Sequence, residues 1–145
     1  MHKFDTKRFA AQGILLVLSL MVLFHVLVMF QVIPYGMVWG GRLESYSQML
    51  LFEALSIAVN LLMLGAVAIS AGMVKVKINR GLLKAALWTM FGIFLLNTIG
   101  NLLSTNETEK LIFTPLTLLL SLFSLRLAIS KEQAPALNKE QEPAF

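Results

Sequence analysis

Two side chains in apolar surroundings carry most of the chemistry this sequence can offer. Glu53 stands in Leu-Phe-Glu-Ala-Leu and His25 in Leu-Phe-His-Val-Leu. An acid placed in hydrocarbon costs about 2–3 kcal/mol on insertion scales, less near the interface, and such residues often face a cavity or a partner. Glu53 is therefore a candidate proton carrier, general base or cation site. The structural alternative is an ion pair with Arg42 or a hydrogen bond to Asn101. His25 is a candidate proton relay, because imidazole changes charge near neutral pH; a hydrogen bond between helices is its plainer role. A metal site normally needs three or more ligands, and no third joins His25 and Glu53, so no metal or other cofactor is expected.

Around this pair, Asn60, Asn97 and Asn101 are candidates for binding a polar ligand. Their alternative is interhelical glue, worth about 0.6 kcal/mol per bond. Arg42, in Trp39-Gly40-Gly41-Arg42, could receive an anionic group, since a guanidinium forms paired hydrogen bonds to phosphate or carboxylate; otherwise it anchors at the interface beside Glu44. No phosphate-binding glycine loop, Gly-x-Ser-x-Gly elbow or His-Glu-x-x-His motif occurs.

The elements that must position these residues are apolar rods. Of 145 residues, 57% are apolar and 14% charged, against about 45–50% and about 25% in soluble domains. The excess fits residues facing lipid. A helix crosses the hydrocarbon with about 20 apolar residues. Four segments qualify, at about 11–33, 49–72, 83–103 and 111–129. The expected fold is all-α, a four-helix transmembrane bundle running up-down-up-down over residues 1–130. Residues 131–145, rich in Gln, Glu, Pro, Ala and Lys, are expected to be a disordered cytoplasmic tail. The first span is read as a retained anchor, because it is too long for a signal peptide and no cleavage site follows it.

Orientation follows from lysine and arginine. Ten flank one side, in the N-terminal tail (Lys3, Lys7, Arg8), the middle loop (Lys75, Lys77, Arg80, Lys84) and the C-terminal end (Arg126, Lys131, Lys139); Arg42 and Lys110 are on the other. Positive residues stay in the cytoplasm, so both termini are expected there. The compact loops fit a bacterial plasma membrane. The net charge of +4 is spent on this asymmetry and forms no basic face for nucleic acid. Cysteine is absent, which excludes disulfide-shuttling chemistry.

Within the spans, side chains three, four and seven apart share a face. Glu53, Ser56 and Asn60 form a polar stripe on the second span, and Ala54, Ala58, Gly65 and Gly72 a small one. Small residues let helices approach closely, so the second span is expected to be the most enclosed, packed centrally on the third and fourth. Thr114, Thr117, Ser121 and Ser124 line one side of the fourth span, which Pro115 interrupts. In the first outer loop, Tyr35, Trp39 and Tyr46 suit the headgroup layer, and Ser45 with Gln48 suits a helix cap. Asn106 and Glu109 suit a second cap, on the fourth span.

The span count is similar to that of the small multidrug exporters and of tetraspanin- and claudin-like proteins. The exporters carry their acid deep in the first span, and the latter two have cysteines in a large outer loop. Glu53 in the second span and the lack of cysteine separate this chain from both.

The polar groups concentrate toward the outer side, which suits an outer-leaflet cleft with Glu53, Asn60, Asn97 and Asn101 as its lining and Trp39 and Arg42 at its mouth. The expected function is binding of a lipid, small molecule or partner protein without catalysis. A membrane-embedded enzyme or proton-coupled carrier using Glu53 and His25 is the competing expectation, and a structural subunit of a membrane complex the third. Membrane lipids are the expected partners, with a membrane protein or a second copy of the chain also compatible.

Overall fold

A computed structural model describes residues 5–130, apart from the side chain of Glu109. The tail at 131–145 and the cations Lys3, Lys131 and Lys139 lie outside the described residues. Four long helices dominate: α1 (Thr6–Met29), α2 (Tyr46–Ser70), α3 (Arg80–Leu102) and α4 (Glu107–Ala128). All four are long and apolar enough to cross a membrane. Their outward faces carry bare leucines such as Leu16, Leu62, Leu96 and Leu111. In water each would forfeit about 1.5–3 kcal/mol of burial; in lipid tails they meet their own kind. The chain is a small all-helical protein of the kind a bilayer dissolves.

Polar caps set the helix starts, each a few residues earlier than hydropathy alone suggests. The Asp5 carboxylate accepts from the backbone N–H groups of Lys7 and Arg8, and Asn79 from those of Gly81 and Leu82. Ser45 accepts from the Gln48 N–H, while the Gln48 side chain accepts from the Glu44 N–H. Each satisfies donors that have no partner inside the helix. Asn106 accepts from the Thr108 N–H in the same manner.

The end of α1 is a correction. Apolar residues continue to Ile33, yet the helix stops at Met29. Gln31 turns left-handed at φ 58°, its N–H bonds Val28 O, and the Val32 N–H reaches back to Leu27 O. This double closure usually employs glycine at the turning residue, as Gly72 does after α2 at φ 73°.

The packing also departs from expectation. α3 packs most extensively on α4 and α1 on α2; α1 and α4 join the two pairs, and α2 meets α3 only lightly. The second helix is thus neither central nor the most enclosed. Ala54, Ala58, Gly65 and Gly72 are all exposed, and a Cβ on Gly65 would meet nothing within 4 Å. The small face is on the outside of the described chain. The close approach occurs instead at Gly13 of α1, where an added Cβ would run into the Phe123 ring of α4. Phe123 also meets Phe9 in a T-shaped pair, with ring centroids 5.7 Å apart.

Two apolar clusters bracket the bundle. The larger joins all four helices through residues such as Ile14, Leu18, Val67, Phe94 and Leu127. The smaller gathers Val28, Val38 and Met49 beneath the 30–45 loop. At that end the Asn106 amide donates to Met37 O, bonding the α3–α4 turn to the α1–α2 loop. At the other end the Arg126 guanidinium donates to the Thr6 hydroxyl. The candidate site lies between the clusters.

Gly13→Ala is expected to lower stability by about 1–3 kcal/mol, the usual effect of overpacking a filled contact. Adding Phe123→Leu should recover a large part of that loss. Thermal unfolding of both variants in bilayer nanodiscs checks the pair; equal midpoints for Gly13→Ala and wild type would place the α1–α4 crossing elsewhere.

Candidate functional site

Glu53 is the only carboxylate among the fully buried residues described, at 0% exposure. Both of its oxygens are engaged. Oε2 lies 2.6 Å from His25 Nδ1, and Oε1 accepts from the Trp39 indole N–H at 2.9 Å. Neither Arg42 nor Asn101, the partners expected for it, reaches it. Two proton arrangements satisfy the geometry: Nδ1–H donating to a carboxylate, or a protonated carboxyl donating to Nδ1. In either, the imidazole is oriented by the acid and its Nε2 has no hydrogen-bond partner among the described residues.

The meeting of His25 and Glu53 follows from the early end of α1. With the helix ending at Met29 instead of Ile33, His25 lies four residues nearer the α1–α2 connection, about 6 Å at 1.5 Å per residue. That brings it level with Glu53 on the neighbouring helix. The shift depends on Gln31 taking a left-handed turn, a position ordinarily read from glycine.

Trp39 reaches Glu53 from the loop. After α1 the chain makes two single-turn 3-10 helices, Tyr35–Met37 and Trp39–Gly41. Trp39, Gly40 and Gly41 are consecutively left-handed, at φ 56°, 65° and 71°. Glycine tolerates this; for tryptophan it costs about 1–2 kcal/mol. A hydrogen bond to a charged acceptor returns about 1.5–3 kcal/mol, and the indole also packs edgewise on Phe52 with ring centroids 5.0 Å apart. The contacts outweigh the strain, so the unfavourable backbone persists. Headgroup preference explains an aromatic residue here but not its aim at the acid.

A cavity of about 370 Å³ adjoins the triad, bounded by Trp39, Glu53, Asn60, Asn97 and Asn101 among others. It falls in the usual size range of small-molecule sites, about 300–1,000 Å³. His25, Ser56 and Thr117 also reach it. Arg42 does not line it; it is exposed at the end of the second 3-10 turn.

The three asparagines differ in their commitments. Asn60 donates to Ser56 O of its own helix. Asn101 donates to the Thr117 hydroxyl, which in turn donates to Phe113 O, with buried Thr98 beside it at 3.0 Å. This cluster joins α3 to α4. Asn97 is exposed and makes no hydrogen bond among the described residues. The buried hydroxyls of Thr114 and Ser124 have no partner in the described structure. Among the described residues no three acidic, histidine or cysteine side chains gather where they could hold a metal ion.

Removing the acid separates hydrogen bonding from charge. Glu53→Gln can still accept from Trp39 and donate to His25 Nδ1, so its stability is expected within about 1 kcal/mol of wild type. Glu53→Leu strands both partners and should lose about 3 kcal/mol, in the range for breaking one side of a buried pair. Chemical or thermal unfolding in nanodiscs reads the difference; an equal loss for both variants would mean that the negative charge, and not the hydrogen bonding, is what matters. No family model matches this chain, and no curated protein or solved structure is found to be similar to it.

Proposed function

We propose that the protein is a four-span plasma-membrane protein of bacterial type that binds a lipid, a small molecule or a segment of a partner protein in the cavity beside Glu53. The helices run up-down-up-down with both termini cytoplasmic, and the 30–45 loop faces outward. The ten-to-two division of lysine and arginine supports this orientation. Tyr35, Trp39 and Tyr46, gathered at one end, support a membrane surface at that level, where amphipathic rings settle. Glu53, Asn60, Asn97 and Asn101 form the binding wall and Trp39 its roof. Arg42 contributes only at the rim.

One observation carries the reading. A buried acid whose hydrogen bonds are already complete borders an open cavity that also holds an uncommitted amide, Asn97. Polar groups serving assembly alone would be expected to close on each other, as Asn101 and Thr117 do. A second reading has its own support: His25, backed by a carboxylate and with Nε2 free, has the arrangement of a general base. In that reading the protein is a proton-coupled carrier or a membrane-embedded enzyme.

Extraction of the protein into polymer nanodiscs directly from its membrane, followed by native mass spectrometry, tests the binding reading. Wild type should carry a bound non-protein mass. Val59→Trp, or the milder Leu55→Trp at an exposed position on the cavity wall, should lack it. Absence of any bound mass in wild type, or its retention in both variants, would defeat the cavity reading. Glu53→Gln separates the two readings, because it keeps the bonds but cannot exchange the proton. A binding protein should retain its bound mass and cellular phenotype, whereas a carrier or enzyme should accumulate normally and lose its phenotype.

A further inference from the structure

The walls of the cavity change character along its length, and their charges are accounted for. We infer that the occupant is a single-chain amphiphile with an uncharged, hydrogen-bonding head, held with the head beside Glu53, His25 and Asn97 and the chain directed toward Met63 and Leu18. This rests on the cavity reading above and specifies its ligand.

The direction comes from helix positions. His25, Trp39, Glu53 and Asn101 are at the end carrying the 30–45 loop. Met63 is ten residues beyond Glu53 on α2, about 15 Å, and Leu18 is seven residues before His25 on α1, about 10 Å. Ile93, Phe94 and Leu120 close the same inner end. The one strong polar group at that depth, Asn60, donates to its own helix at Ser56 O. Polar at the surface end and apolar toward the bundle centre is the polarity of a lipid in the leaflet on that side.

Absent charge sets the head. No lysine or arginine borders the cavity, so an anionic phosphate or carboxylate would enter a low-dielectric space without a counterion, at a cost of several kcal/mol. The single carboxylate offers a cation no surface, because Glu53 is fully buried behind the Trp39 and His25 side chains that meet its two oxygens. What remains on offer at the head end is the Asn97 amide, the free His25 Nε2 and the unused amide oxygen of Asn101. Amides and imidazole match hydroxyl, ester or amide groups. Volume sets the chain count. About 370 Å³ is near the small end of ligand sites, about 300–1,000 Å³; it takes a small head and one chain, and a second chain would lie outside it.

The test uses the full chain in phosphatidylcholine nanodiscs doped at equal low mole fraction with 1-decanoylglycerol, decyl phosphate or decyltrimethylammonium, which share a chain length and differ in head charge. Decanoylglycerol should raise the unfolding midpoint of wild type by about 5 °C, and the two charged probes should not. Asn97→Leu, at an exposed position with no protein hydrogen bond to lose, should respond to decanoylglycerol by less than half as much. A charged probe stabilising as well as the neutral one would overturn the inference and leave cavity binding intact. An unchanged response in Asn97→Leu would overturn the placement of the head. No response to any probe, while wild type still carries a bound mass that Val59→Trp lacks, would defeat the amphiphile alone.

Discussion

The carboxylate of Glu53 is withdrawn wholly from solvent, and the half of the molecule that carries the 30–45 loop is arranged around that fact. A carboxylate in a low-dielectric interior is tolerated only when its oxygens are matched by donors. Here the hydrogen-bonding partners come from two directions. His25 is supplied by the adjacent helix, and its position depends on α1 ending at Met29. Trp39 is supplied by the loop, and its position depends on three successive left-handed residues. The early helix stop, the strained loop and the small apolar cluster of Val28, Val38 and Met49 are mutually consistent parts of one solution to desolvating an acid.

The energies involved are small and nearly balanced. Left-handed tryptophan costs about 1–2 kcal/mol, which its hydrogen bond and the Phe52 contact exceed by a small margin. Interhelical hydrogen bonds in bilayers average about 0.6 kcal/mol, so the Thr98–Thr117–Asn101 cluster contributes modestly to joining α3 and α4. Apolar packing supplies the rest, through Phe94, Leu120 and Leu127 of the inner cluster. Polar groups in this bundle specify which faces meet more than they hold the faces together.

The coarse architecture was readable because hydropathy integrates over whole helices. Four runs of apolar residues left little choice of fold, and Ser45 with Gln48 marked a helix start through the ordinary chemistry of caps. The finer geometry was less accessible. The Gln31 turn adopts a conformation that its residue type does not advertise, and four residues of error there displaced His25 far enough to hide its pairing with Glu53. The small residues of α2 misled for a different reason: Ala54, Ala58 and Gly65 permit close contact but do not require it, and the contact was made by Gly13 instead. Trp39 was expected in the loop between the first two helices, where it is found, while its hydrogen bond depended on a loop path that no local pattern encodes. Asn60, Asn97 and Asn101 were identifiable as polar groups in apolar helices, but identical side chains took three different roles according to what stood opposite.

The loop between α1 and α2 is fastened twice, by Trp39 to the acid of α2 and by Met37 O to the Asn106 amide at the α3–α4 turn. One short segment therefore bridges both halves of the bundle where α2 and α3 scarcely touch. It fastens the two helical pairs across the end of the cavity, in addition to the α1–α4 packing that joins them. Any event that rotated the indole away from its acceptor would free the left-handed backbone to relax and would slacken the grip on the far pair as well. At this end of the bundle, part of the cohesion of the two halves thereby rests on the same few atoms that hold the buried acid.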